Sequence, residues 1–197
     1  MFPKLIQNSL LFFLLCDAGE SKIFEGIPKQ AECKYYNPDL IANFTFTYKP
    51  LGWKKAKYSI DGYMKEGVEI DNAVIRGTTY RRESNMEYRV FGPKELTVEA
   101  CGFLGGSWTH VVVDLVAAYM KRAAKSNNVF HPCPFSGHFY IHDLIVDENA
   151  YNVVNFLPSG FFMFKARVFT RRNNTEHLLI ETATYVDLRP VGIHTKR

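Results

Sequence analysis

The chain has 197 residues, of which 47% are hydrophobic and 22% charged, a length and composition that suit one globular domain with a sizeable core. Its net charge of +4 is scattered in small clusters, Lys54-Lys55-Lys57, Arg81-Arg82, Lys121-Arg122-Lys125, Arg171-Arg172 and Lys196-Arg197. Solvated strand ends and loops account for these without a nucleic-acid partner, although such clusters also suit an anionic lipid surface or glycan.

The first residues carry the parts of a secretory signal: Lys4, the apolar run Leu10-Leu11-Phe12-Phe13-Leu14-Leu15, and the small residues Cys16 and Ala18 before a cleavage point. The run is far shorter than the roughly 20 apolar residues of a spanning helix. The expectation is therefore a signal over residues 1–18 and a single secreted, extracellular domain over 19–197. Removing the signal discards Lys4 and Asp17 together and leaves the net charge unchanged. Of the four cysteines, Cys33, Cys101 and Cys133 then remain, an odd count that implies a free thiol or an intermolecular bridge. Cys101 and Cys133 flank a helical stretch and are the favoured pair, because a helix folding back along its flanking strands returns the chain to its start. Closing that loop would contribute about 3 to 4 kcal/mol in the chain-entropy model. Cys33 is then unpaired or bridges two copies; the residues alone leave the other two pairings open. Two acceptor sequons fit the same compartment, Asn43-Phe44-Thr45 and Asn173-Asn174-Thr175, the second at an expected hairpin tip.

Residues Glu20 to Asp39 read as irregular and end in a turn at Asn37-Pro38-Asp39. From Ile41 the period becomes two: Phe44, Phe46 and Tyr48 alternate with Asn43, Thr45 and Thr47, and after Pro50, Leu51 and Gly52 the residues Ala56, Tyr58 and Ile60 alternate with Lys57, Ser59 and Asp61. These form a meander. Val68 to Tyr80, Asn85 to Phe91 and Lys94 to Cys101 read as further strands, with Met86, Tyr88 and Val90 sharing a face. Ser107 is a plausible N-cap for an amphipathic helix of about 27 Å, with Val112, Leu115, Val116, Tyr119, Met120 and Ala123 on one stripe and cations in its last turns. Ser126-Asn127-Asn128 ends it. A strand over His138 to Val146 follows, then Phe161 to Thr170 and Leu178 to Leu188 as an antiparallel hairpin. The hairpin is apolar on nearly both faces: Phe162, Phe164, Ala166 and Val168 on one, Phe161, Met163 and Phe169 with Lys165 and Arg167 on the other. The fold class is mainly β, an antiparallel cup or sandwich with one amphipathic helix packed across it.

Sixteen Phe and eleven Tyr can fill a core or line a cavity. The cavity reading takes Phe162, Phe164, Ala166, Val168, Ile180, Val112, Val116 and Tyr119 as its walls, with Met120, Met163 and Met86 as adaptable packing. His138 and His142 share a strand face about 13 Å apart, too far for two ligands of one zinc ion. There is no nucleophile elbow, phosphate loop or pair of zinc-type cysteine knuckles, so neither catalysis, a metal nor a cofactor is expected.

The order Cys101, helix, Cys133-Pro134-Phe135 with Gly137 and Tyr140, then Leu157-Pro158-Ser159-Gly160-Phe161 opening a hairpin, resembles the ganglioside-activator and MD-type lipid-recognition family. It is closer still to a large insect family of small secreted proteins that includes the fly chemosensory CheB proteins. The resemblance covers roughly Glu95 to Pro190. It implies a β-cup that accepts a lipid or similar hydrophobic molecule, no chemistry, and a setting of pheromone or taste detection with a membrane receptor or lipid surface as further partner. Residue by residue it assigns only Cys101 and Cys133, as structural staples. The activator has further cysteines, and here nothing after Cys133 can partner Cys33. The alternative function is a secreted interaction module with a filled core, dimeric through Cys33.

Overall fold

The computed structural model describes residues 24–92, 94–105, 118–147, 150, 157–172 and 175–190. The expected signal segment, Ser107, the helical positions Val112, Leu115 and Val116, and the sequon asparagine Asn173 lie outside these residues. Among the described residues the strands are β1 (Phe24–Tyr36), β2 (Ile41–Pro50), β3 (Ala56–Met64), β4 (Ala73–Arg82), β5 (Tyr88–Val90), β6 (Leu96–Glu99), β7 (Ser126–Asn127), β8 (His138–Val146), β9 (Gly160–Arg172) and β10 (Thr175–Pro190). Helix α1 (Ala100–Gly105) follows β6, and residues 118–123 form α2.

All strand pairs are antiparallel and fall into two sheets. The first has the order β1-β10-β9-β4-β5, with β6 also on β4, and the second β2-β3-β8-β7. Strands β5 and β6 take successive stretches of one edge of β4, Tyr88 opposite Arg82 and Leu96 opposite Gly77. The apolar faces of the two sheets meet: Ala31 of β1 packs with Ala56, Tyr58, Ile141 and Leu144 of the second sheet. The mainly β class expected from the alternation is therefore present, as an open sandwich.

Residues 24–36, expected to be irregular, are instead the 13-residue strand β1, paired along β10 from Pro190 to Ile180. Its alternation is hidden by two register shifts, between Pro28 and Gln30 and between Cys33 and Tyr35. As an edge strand it also tolerates Pro28, which has no N–H to donate. The turn after it forms as the sequence suggests. The Asn37 side-chain oxygen accepts from the Asp39 N–H at 2.9 Å, and its amide donates to Leu178 O.

Three further expectations are corrected. The strand expected over Val68 to Tyr80 begins at Ala73, although Ile70 makes an isolated bridge with Phe135. Only Tyr88–Val90 of the expected Asn85 to Phe91 strand is extended; Met86 sits in the preceding turn at φ 69° and is exposed, so it packs no interior. The segment before the disulfide turns helical at Ala100, where the Glu99 side chain accepts from the backbone N–H groups of Cys101 and Gly102.

The hairpin β9/β10 is the spine of the larger sheet, paired from Gly160 opposite Leu188 to Arg172 opposite Thr175 with one register shift between Leu178 and Ile180. Its second apolar face is explained by cations. Arg82 stacks 3.7 Å from the Phe161 ring and Arg76 4.6 Å from Phe169, while Glu176 holds Arg76 at 2.7 Å and Glu95 holds Arg167. These aromatics are thus covered by guanidinium planes at the surface and need no third layer.

Candidate ligand cavity between the sheets

The Cys101–Cys133 disulfide, with Cα atoms 5.3 Å apart, ties the start of α1 to the segment leading into β8. Next to it, reciprocal 2.8 Å backbone hydrogen bonds join Ile70 and Phe135. Cys33 is free and half-buried, its thiol donating to Tyr35 O at 3.2 Å. Burial pushes that thiol up from its ordinary value, against the smaller opposing effect of the hydrogen bond.

Between the sheets lies a partly open cavity of about 340 Å³. Strand alternation supplies most of the walls, and on β8 a register shift opposite Tyr58 and Ile60 brings Ile141 and Leu144, three residues apart, to the same space. Strand β3 presents Tyr58 and Ile60, β8 presents Ile141 and Leu144, β9 presents Phe164, and β10 presents Thr182, Thr184 and Val186, with Phe46 of β2 and Tyr119 and Met120 of α2 closing the sides. A second, fully apolar cavity of about 130 Å³ lies towards α1, with Val168 of β9, Ile180 of β10 and Phe135 among its walls.

The expected cavity residues thus divide. Phe164 and Tyr119 line the larger space; Val168 and Ile180 line the smaller; Ala166, between Phe164 and Val168 on β9, borders neither. Phe162 is corrected: it is fully buried in a solid cluster with Leu157, Val186 and Leu188, with the Phe91 ring edge-on at 5.5 Å. It follows the alternation that puts Phe164 on the cavity side, but Leu157 and Leu188 pack against it at that end of the sheet. Met163 is buried without lining either cavity, opposite Tyr80 and Tyr185 on its neighbouring strands. Val112 and Val116 fall outside the described residues. Walls absent from the expected set include Phe46, Tyr58, Ile60, Ile141, Leu144, and the threonines and Val186 of β10; the first three stand in the β2 and β3 alternation.

The described lining of the larger cavity holds no charged side chain; its polar groups are hydroxyls. Tyr119 OH donates to Ile145 O at 3.0 Å, and Ser59 Oγ accepts from the Asp143 N–H at 3.0 Å. Tyr58 OH is buried with no hydrogen-bond partner, as is that of Tyr48, whose ring stands edge-on 5.3 Å away. Burial pushes the Tyr58 phenol far above its ordinary range, so it is a neutral donor.

On the outer face of the second sheet the structure corrects the histidine geometry. His138 and His142 both reach the Asp61 carboxylate, which lies on β3 opposite Tyr140: Nε2 of His138 at 3.2 Å from both oxygens and Nε2 of His142 at 2.9 Å from one. Cα spacing along the strand overstates the separation because both imidazoles lean towards Tyr140, His142 stacked on its ring at 4.6 Å and His138 tilted to it at 5.0 Å while stacked on Tyr63 at 4.3 Å. These hydrogen bonds, His142's first, hold Asp61 below the usual carboxylate range. Among the described residues no group of three or more His, Cys, Asp or Glu side chains is arranged to hold a metal ion.

Residues 75–164 match the model of a family described as a protein of unknown function, DUF1091. The matched stretch runs from β4 to the middle of β9 and contains both disulfide cysteines, α1 and β8. It therefore supplies Ile141, Leu144 and Phe164 to the cavity, whereas Phe46, Tyr58 and the β10 threonines lie outside it. No curated protein matches the chain. No helix among the described residues is long and apolar enough to cross a membrane.

Proposed function

We propose that the protein is a secreted, non-enzymatic carrier that holds a lipid or other hydrophobic small molecule between its two sheets. The observation that carries this reading is the cavity of about 340 Å³ whose described walls hold no charged side chain. That volume falls in the range of small-molecule sites, and such sites are mostly apolar with a few fixed polar groups. The sequence resemblance adds the setting, pheromone or taste detection in an insect, with delivery to a membrane receptor or lipid surface.

A lipid-surface contact is supported by the turn between β2 and β3. Leu51 and Trp53 are 44% and 60% exposed there, beside Lys49 and Lys55. Vesicles containing an anionic phospholipid should bind the protein, and binding should weaken as salt rises. The filled-core reading, with dimers through Cys33, is less supported, since burial disfavours the thiolate that disulfide exchange requires. Native mass spectrometry of the secreted protein separates the two: apolar adducts on a monomer support the carrier, and a reducible dimer free of adducts supports the interaction module.

A further inference from the structure

The carrier reading leaves the head of the ligand undefined, and the walls of the larger cavity constrain it. Thr182 and Thr184 stand two residues apart on the inner face of β10, so their hydroxyls line one side of the space about 7 Å apart along the strand. Their neighbours in register are small on one side or both: Ala166 and Cys33 opposite Thr182, Ala31 and Phe164 opposite Thr184. Valine has the same shape and would be the cheaper residue on a dry wall, because a hydroxyl taken from water without a partner is destabilising. Both threonines are half-buried on the cavity wall and neither hydroxyl is among the sealed, unpartnered side-chain atoms, so an apolar ligand would take them out of water with nothing in return.

No lysine, arginine, histidine, aspartate or glutamate stands in the described lining. A carboxylate or ammonium head would lose its water there and gain no counter-charge. A pure hydrocarbon would leave the hydroxyls unmet.

The structure assigns the site, if the carrier reading holds, to an apolar chain bearing one uncharged oxygen function, an alcohol, ester, ketone or aldehyde, held by Thr182 and Thr184. A carbonyl oxygen has two lone pairs and accepts from both hydroxyls; an alcohol also donates to one of them.

The test is displacement of N-phenyl-1-naphthylamine from the secreted protein by compounds of one chain length: octane, octanol, octyl acetate and octanoate at about pH 8, where the acid is ionised. Octanol and octyl acetate should displace the probe at concentrations about fivefold to tenfold below octane, the worth of a hydrogen bond to a neutral partner, and octanoate should be weaker than both. The Thr182→Val/Thr184→Val double variant, checked for folding by its thermal melt, should bind octane as before and lose the advantage for octanol and the ester. Octanoate matching octanol, or an advantage that survives in the double variant, would overturn the assignment. Failure of the probe to bind at all would overturn the carrier reading as well.

Discussion

Gly62 shows how single residues set the interior. It lies on β3 opposite Phe139 of β8, and a Cβ added there would fall 2.3 Å from the tip of the Phe139 ring. Only glycine lets that ring lie flat against the sheet and close the smaller cavity. Gly62→Ala should destabilise the fold by about 1 to 3 kcal/mol through overpacking, measured as a lower urea midpoint with unchanged slope. Asp61, next along the same strand, makes a pH-dependent contribution. Its folded pKa is depressed by His142 and His138, so its stabilisation is present above the ordinary carboxylate pKa and disappears as pH falls through the folded value. Wild type should be more stable than Asp61→Asn at neutral pH, and the gap should close in unfolding curves taken well below the carboxylate range. A gap that persists in acid would place the effect elsewhere. None of this convergence is legible in the spacing of His138 and His142, since it depends on which β3 residue lies between them across the ladder.

At the scale of elements, the strands with a clean period of two were readable: β2, β3, β8 and the β9/β10 hairpin follow the sequence pattern closely. Strand β1 was not, because Pro28 and two bulges break its alternation, and an edge strand needs burial on one side only. The helical stripe around Tyr119 and Met120 was readable too, and both side chains reach the larger cavity. The disulfide is the element-scale constraint with the largest expected effect. Replacing Cys101 and Cys133 together by Ala opens a loop with a sequence separation of 32, and the chain-entropy model gives a loss of about 3 to 4 kcal/mol. Thermal melts of the double variant, with the free Cys33 left in place, check this; an unchanged midpoint would mean that the Ile70–Phe135 hydrogen bonds and the α1 packing hold the joint without the bridge.

At the scale of the whole molecule, two sheets that share apolar faces have a choice between closing on each other and leaving room. They close at one end, where Val146 of β8 packs against a cluster of Leu157, Phe162, Val186 and Leu188, each large apolar side chain worth about 1.5 to 3 kcal/mol when fully buried. They leave room beside Phe164, where the β10 residues that face the second sheet are threonines. Sequence periodicity identified the faces but could not say which stretch of each face is filled, because that depends on how Phe46, Tyr58 and Phe164, from three separate strands, meet in space. The most direct test of the central claim is organic extraction of the purified secreted protein followed by lipid mass spectrometry, repeated on Phe164→Arg with circular dichroism to verify folding. A stoichiometric apolar molecule in the wild type, lost in the folded variant, is the predicted result. Extracts of both proteins free of any bound molecule, together with no binding of an apolar fluorescent probe, would contradict a carrier function.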